Sequence, residues 1–312
     1  MKKNILMINN PRSGMNKNNK ELSDALEVFS NNGYCVNLMN TTKSGDATEY
    51  AKNFGGDYDM VVCRGGDGTF CETMNGIMEL DKKPEIGFLP AGTTNDLAAT
   101  LNLHTQAGKA AEMIMQETAK PCDIGTFNGR YFTYVASFGA FTRCAYATSQ
   151  KLKNKIGRLA YFYGAAKDVK EIRSIPMRCT VDGVEITGNF MFGSISNART
   201  VGKIIKLDES KACLNDGKYE VILAENPGTA KGWIELADSV FSKRLDHKCI
   251  KIFHASSVTI ETIDGSPIPW TLDGEFAGNV DTVEIEITKH AFNMFRPAFS
   301  HEIEDADITV TK

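Results

Sequence analysis

Met60-Val61-Val62-Cys63, followed after one residue by Gly65-Gly66-Asp67-Gly68-Thr69, is the stretch on which the reading of this chain turns. The first four residues form an apolar run of strand length, and Phe70, Met74, Ile77 and Met78 then recur at helical spacing. A glycine-rich turn between strand and helix leaves backbone N–H groups at the positive end of the helix dipole, where a phosphate is favoured. Three glycines without a Cβ let that backbone close on a polyphosphate. Asp67 adds a carboxylate where phosphate oxygens would gather, which makes sense if Mg²⁺ or a substrate hydroxyl lies between them. The same residues also read as an ordinary turn, because Gly-Asp-Gly is common turn chemistry.

Outward from this loop the first part of the chain alternates strand and helix. Asn4–Asn9, Tyr34–Leu38 and Ile86–Leu89 read as strands, and Lys20–Asn32 carries Leu22, Leu26 and Phe29 at helical spacing. Asp46 reads as the N-cap of a helix over Ala47–Phe54. This alternation predicts an α/β, doubly wound domain whose mostly parallel sheet binds ligand at the C-terminal ends of its strands. Three loops fall at that edge: Asn9-Asn10-Pro11-Arg12-Ser13-Gly14, the GGDGT loop, and Ala91-Gly92-Thr93-Thr94-Asn95-Asp96.

After Asp123 the pattern changes. Arg130–Val135, Met177–Val181, Asn189–Ser196, Tyr219–Leu223, Ser257–Thr262 and Thr282–Ile287 are short, rich in β-branched or aromatic residues, and punctuated by Asp-Gly turns. They predict a β-rich, antiparallel, sandwich-like second domain, interrupted by helices over Arg158–Ile172 and Lys231–Leu245. The latter places Trp233, Leu236, Val240 and Phe241 on one face. The expected division is residues 1–123 and 124–295, at a change of pattern with no linker.

Composition removes several classes. A chain of 312 residues, 42% hydrophobic and 24% charged, suits a soluble protein of one large or two medium domains. A net charge of -4 gives no basic field for nucleic acid. The apolar start Ile5-Leu6-Met7-Ile8 is short for a signal peptide, and no stretch reaches the length of a membrane span. The cysteines are scattered without a C-x-x-C pair and the histidines without H-E-x-x-H, so zinc and disulfide frameworks lose support. Free thiols of this kind fit a cytoplasmic protein.

Two further segments join the three loops: Asn215-Asp216-Gly217-Lys218-Tyr219 and Leu272-Asp273-Gly274-Glu275. With all five in order, the chain resembles the bacterial soluble diacylglycerol kinase and lipid kinase family, whose catalytic domain is shared with sphingosine and ceramide kinases. The resemblance runs over nearly the whole length and is more specific than GGDGT alone, which NAD kinases also carry. It implies two domains with the active site in the cleft between them, ATP as co-substrate and Mg²⁺ as cofactor. ATP would be bound by the stretch Gly66, Asp67, Gly68, Thr69, Phe70, Cys71 and Glu72, by Thr41 and by Thr93, with Asn10, Arg12 and Gly65 beside them. Glu275 would be the proton acceptor, and Asp67 and Asp123 would join an Asp–Mg²⁺–water network. A structural Mg²⁺ would be held by Asp216 and by backbone carbonyls at Cys213 and Lys218. Phe70 and Cys71 stand where many relatives have Ile and Asn, a slight change to the nucleotide pocket. Residues Arg296–Lys312 are expected to return to the first domain.

The expected reaction is ATP-dependent phosphorylation of a primary hydroxyl of a membrane lipid, first of all diacylglycerol to phosphatidic acid. The alternatives are a sphingosine-like lipid alcohol, NAD, or a non-catalytic nucleotide-binding regulator on the same fold. The expected partner is lipid at the membrane surface, touched peripherally and transiently, with room for a homodimer and none for nucleic acid. Taken alone, each residue keeps a plainer reading. Thr41 suits a turn, Thr93 and Asn95 suit helix caps, and Asn215-Asp216-Gly217 suits a hairpin. Asp273-Gly274-Glu275 suits a turn with a solvated glutamate, and Arg12 an exposed surface. Lys151, Lys153, Lys155 and Arg158 form either a solvated helix face or a contact for anionic headgroups.

Overall fold

The computed structural model describes residues 3–14, 19–93, 95–139, 173–197, 200–201, 205–206, 214–242 and 244–298. The chain divides into two compact units: Met1–Tyr134 with Cys213–Gly217 and Thr288–Lys312, and Val135–Ala212 with Lys218–Ile287.

The first unit begins with β1 (Lys3–Asn9), α1 (Asn19–Asn31), β2 (Tyr34–Asn40), α2 (Asp46–Phe54), β3 (Met60–Gly65), α3 (Asp67–Ile77) and β4 (Glu85–Pro90). The strands lie in the order β4-β3-β1-β2, all parallel, with Ile5 opposite both Val36 and Met60. Strands buried on both faces need continuous apolar runs. Ile5-Leu6-Met7-Ile8 and Met60-Val61-Val62-Cys63 supply them, and all are buried. Burial pushes the Cys63 thiol up to about 12, so it stays protonated in the core. Next come α4 (Asp96–Thr100), α5 (Ala107–Gln116), β5 (Ala119–Phe127) and β6 (Arg130–Phe132). The single strand expected over Arg130–Val135 is divided. Asn128 and Gly129, both at positive φ, make a tight turn that folds β6 back on β5, with Phe127 opposite Arg130. Asn75 of α3 clasps this hairpin, donating to Tyr131 O at 3.0 Å and accepting from Tyr131 N at 3.1 Å. The boundary read at residue 123 thus falls inside β5, and this unit runs on to Tyr134. Its last described strand residue pair sets Met294 beside Ile86 of β4. Arg296, fully buried, donates from Nε to Cys122 Sγ at 3.2 Å and from Nη2 to Pro121 O at 3.1 Å. Of the C-terminal stretch expected to return here, residues 299–312 lie outside the described residues.

The second unit contains β7 (Val135–Gly139), β8 (Ile175–Val181), β9 (Val184–Ser196) and the short β10 (Thr200–Val201) and β11 (Ile205–Lys206). After β12 (Tyr219–Glu225) come α6 (Ala230–Phe241), β13 (Ile250–Ala255), β14 (Ser257–Thr262), β15 (Ile268–Leu272), β16 (Glu275–Val280) and β17 (Thr282–Phe295), which leaves the unit at Thr288. The pairing is antiparallel throughout, in the order β16-β15-β7-β9-β8-β14, with β12 between β9 and β13. Alternate residues Phe138, Ile195, Val221, Trp270 and Leu272 fill the core, and the rings of Phe138 and Trp270 sit 4.8 Å apart. On α6, Trp233 and Leu236 pack with Met191 and Ala224. The helix starts on a Thr229 cap, whose Oγ1 accepts from Gly232 N at 3.1 Å. It stops short of the expected Leu245, because Arg244 N and Leu245 N both turn back to Ser239 O. The helix expected over Arg158–Ile172, with its basic run, lies outside the described residues.

Candidate active site

Four parallel strands bring their C-terminal ends to one edge of the first unit. Each leads there into a loop with a candidate residue: Asn10 after β1, Thr41 after β2, Gly65-Gly66 at β3, and Gly92-Thr93 after β4. Hydrogen bonds clasp the loops together. Asn10 Nδ2 donates to Thr69 Oγ1 at 2.9 Å, and Asn10 Oδ1 accepts from the backbone of exposed Arg12 at 3.0 Å. Thr41 N donates to Asn9 O at 2.8 Å, and Ala91 N donates to Gly65 O at 2.7 Å. Two glycines meet back to back: a Cβ on Gly92 would stand 2.7 Å from Gly66 Cα, which real side chains do not tolerate. Gly65 is equally constrained, since its Cβ would fall 2.6 Å from Thr69 Cβ. The helix begins at Asp67, with Gly66 as its extended N-cap residue, so Gly68 and Thr69 lie in its first turn. Backbone N–H groups there have no intrahelical acceptor and suit an anion.

Asp67 is 8% exposed and does something the sequence did not disclose. Its Oδ2 accepts from Asp96 N at 2.9 Å and its Oδ1 from Leu97 N at 3.2 Å, so it caps α4 from another element. The cap expected of Asn95 is therefore corrected in part: the position is right, but the capping side chain is that of Asp67. Asn95 holds the N-cap position of α4 at φ 49°, but its side chain makes no cap bond, and its Nδ2 donates instead to Gly92 O at 2.9 Å. Thr93 is exposed on the same loop. Asp46 is a second correction. Gly45, at φ 88°, holds the N-cap position of α2, and Asp46 is the first helical residue. Its Oδ2 accepts from Thr42 N at 2.7 Å, Thr42 Oγ1 at 2.8 Å and Lys43 N at 3.0 Å, which closes the loop that carries Thr41. The Thr42 donors, with Lys43, hold its carboxyl below the usual range.

Farther along α3 the candidates part company. Phe70 turns into the core against Phe88, with ring centroids 4.7 Å apart. Cys71 is buried with its Sγ 3.7 Å from Tyr131 O. Glu72 accepts from Ser44 Oγ at 2.7 Å and, with Thr48, Asn75, Glu79 and Arg130, lines a cavity of about 390 Å³. Arg64 went unnoticed, although an arginine interrupting an apolar strand was the available signal. It is 5% exposed and donates from Nη1 to Asn9 Oδ1 at 2.8 Å, while Asn9 Nδ2 donates to Asn40 Oδ1 at 2.6 Å.

A second cluster in the same unit surrounds Asp123, which is 2% exposed. Its Oδ2 accepts from Gly217 N at 2.6 Å and its Oδ1 from His290 N at 2.8 Å, while Asp123 N donates to Leu214 O at 3.2 Å. These bonds hold Asn215-Asp216-Gly217 as a bend against Asp123, so the hairpin reading of that segment is excluded. His290, unnoticed in the sequence, also sets Nε2 2.9 Å from Asn215 O. Burial raises the Asp123 carboxyl above its ordinary value, and the Asp216 charge adds to this against the two backbone donors. A buried carboxylate, Asp123, facing the charge of half-buried Asp216 fits a cation, which would relieve the desolvation of the first and the repulsion between the two. No group of three or more His, Cys, Asp or Glu gathers among the described residues, so backbone carbonyls would have to complete such a site. Cys213 lies outside the described residues, and Lys218 is an exposed residue of the second unit.

Glu275 belongs to the second unit, at the start of β16 and opposite Leu272. Asp273 at φ 46° and Gly274 at φ 86° make the tight turn before it. That turn is pinned to β7, because Val135 N donates to Asp273 Oδ1 at 3.1 Å and Asp273 N donates to Val135 O at 2.8 Å. Glu275 is exposed on a fixed corner.

Known proteins with this sequence pattern agree with one another. Residues 4–127 match the model of the diacylglycerol kinase catalytic domain, and residues 135–296 match the YegS C-terminal NAD kinase beta sandwich-like domain. A diacylglycerol kinase of Staphylococcus carnosus is 30% identical over 93% of this chain and 94% of its own. A diacylglycerol kinase of Bacillus subtilis is 29% identical over 97% of this chain and 100% of its own. The crystal structure of a diacylglycerol kinase from Bacillus anthracis superposes with a TM-score of 0.75 at 24% identity, over 95% of this chain and 97% of that one, a likeness of fold. No helix among the described residues is long and apolar enough to cross a membrane. Matched across both units by family models and over nearly its full length by its relatives, the chain belongs to the diacylglycerol kinase family.

Proposed function

We propose that the protein transfers the γ-phosphoryl group of ATP to the primary hydroxyl of diacylglycerol, giving phosphatidic acid and ADP. The observation that carries this is the pair of loops pressed together at Gly66 and Gly92 and locked by Asp67, at the C-terminal edge of a parallel sheet. Such an edge offers backbone N–H groups and helix N-termini to a polyphosphate, and phosphoryl transfer depends on positioning and charge neutralisation. In the transfer the acceptor oxygen bonds to the γ-phosphorus as its bond to the ADP oxygen breaks. The hydroxyl proton passes to the Glu275 carboxylate, and ADP departs with the electron pair. Asn10, Thr41 and the Gly65–Thr69 turn orient the phosphates. Bound Mg²⁺ would neutralise charge on them, held by Asp67 and Asp123, with a second, structural ion at Asp216 and the carbonyls of Cys213 and Lys218. The relatives named diacylglycerol kinase supply the choice of acceptor, and lipid would be met at a membrane surface.

Radiolabelled ATP with a panel of lipids in mixed micelles tests this directly. Diacylglycerol should give labelled phosphatidic acid in a Mg²⁺-dependent reaction. Label entering sphingosine or NAD, with diacylglycerol inert, would replace the acceptor. Absence of any turnover by folded, ATP-binding protein would leave a nucleotide-binding regulator.

The Asp216 site has its own test. Asp216→Ala should lower both melting temperature and activity, and Mg²⁺ should raise the melting temperature of wild type more than that of the variant. A ligand that binds only the folded state stabilises it in this way. Identical Mg²⁺ responses in the two proteins would remove the structural ion.

A further inference from the structure

Arg64 takes no part in the transfer just described, yet it carries a full charge to the end of β3, directly before Gly65. It is 5% exposed, and among the described residues its side chain donates to a neutral acceptor, Asn9 Oδ1, at 2.8 Å. Among the described residues no carboxylate lies within ion-pair distance of it; Glu21 acts only from farther away. Its buried Nε meets no acceptor among the described residues, and burial holds its guanidinium below the ordinary value. A buried charge without a close counter-ion is destabilising, and among the described residues the Asn9 bond and the more distant Glu21 offset it only in part. Its surroundings point to a compensating ligand. Arg64, Asn9 and Asn40 form one hydrogen-bonded row across three neighbouring strand ends. They immediately precede Gly65, Asn10 and Thr41, the residues expected to meet the nucleotide.

We propose that Arg64 is the fixed counter-charge of the nucleotide's polyphosphate, a buried specificity residue oriented by Asn9 and Asn40 that makes this edge favour triphosphate over monophosphate. The inference rests on the nucleotide-binding reading of the site. A charge inside protein acts through a low dielectric and is little screened by salt, so it can act on phosphates without touching them.

The test compares the full-length protein with Arg64→Met, Arg64→Gln and Arg64→Lys, measuring melting temperature without ligand and calorimetric Kd for ATP, ADP, AMP and tripolyphosphate. Loss of the charge in Arg64→Met should leave the free protein at least as stable as wild type. It should also weaken ATP and tripolyphosphate by about tenfold, ADP less, and AMP hardly at all. Arg64→Gln removes the charge but keeps a donor for Asn9, and should follow Arg64→Met; Arg64→Lys should recover most of the ATP affinity. An anchor for Asn9 alone would behave otherwise. Equal weakening of all four ligands, wild-type affinities in Arg64→Gln, or a lower melting temperature with unchanged ATP affinity would each overturn the proposal. Wild-type protein that binds none of the four would overturn the nucleotide reading and Arg64's role with it, whereas binding indifferent to phosphate number overturns Arg64's role alone.

Discussion

Glu275→Gln is expected to lower kcat by about 10²–10⁴ while leaving ATP affinity nearly unchanged. The acceptor hydroxyl has to lose its proton as the phosphoryl group arrives, and a positioned base typically accounts for about 3–5 kcal/mol of the barrier. Glutamine keeps the shape and the strand pairing of residue 275, so the turn at Asp273-Gly274 and its bonds to Val135 should survive. Steady-state kinetics with ATP and diacylglycerol, beside a melting curve, separates loss of the base from loss of fold. Near wild-type kcat in a folded Glu275→Gln protein would move proton removal to Asp67, Asp123 or water and leave the kinase reading intact.

Gly92→Ala is expected to be almost as damaging for a purely steric reason. The new methyl would lie 2.7 Å from Gly66 Cα and 2.8 Å from Asn95 Oδ1, so one loop has to retreat from the other. Overpacking of this kind costs about 1–3 kcal/mol, and a displacement near 1 Å at a positioned site can cost about 10²-fold in rate. Gly56→Ala is the control, because its methyl would meet only Leu80 Cδ2 at 3.8 Å, an ordinary contact. The expected result is a fall of about 10²-fold in kcat/KM for ATP in the first variant and none in the second. Equal activity in the two would show that the close approach of the loops is dispensable.

Much of the first unit was legible because parallel strands buried on both faces must be continuous apolar runs, and Ile5–Ile8 and Met60–Cys63 are such runs. The loops at their ends followed from glycine and proline. What escaped were contacts between residues distant in sequence. Asp67 looks like a turn residue or a metal ligand until Asp96 and Leu97 are folded against it. Asn215-Asp216-Gly217 has the composition of a hairpin, and only the distant Asp123 turns it into a bend. Asp46 resembles a cap because Asp is a good cap. The left-handed conformation open to Gly45 took that position and freed the carboxylate for the preceding loop. Arg64 was visible as a charge in a strand, but its isolation from carboxylates is a fact of packing.

The division of the first unit into separated stretches of chain bears on how it is made. The β4-β3-β1-β2 sheet is encoded before Tyr134, yet among the described residues the Asp123 carboxylate accepts from Gly217 and His290, and Ile86 of β4 meets Met294. As the chain emerges from the ribosome, the first unit therefore waits through the synthesis of nearly everything else with a buried carboxylate unanswered. Domains generally fold as units during synthesis; here the unit translated first is among the last to be finished. A fragment ending at Tyr134 would hold the glycine loops and still lack Arg296, the fully buried side chain that reaches back to Pro121 and Cys122.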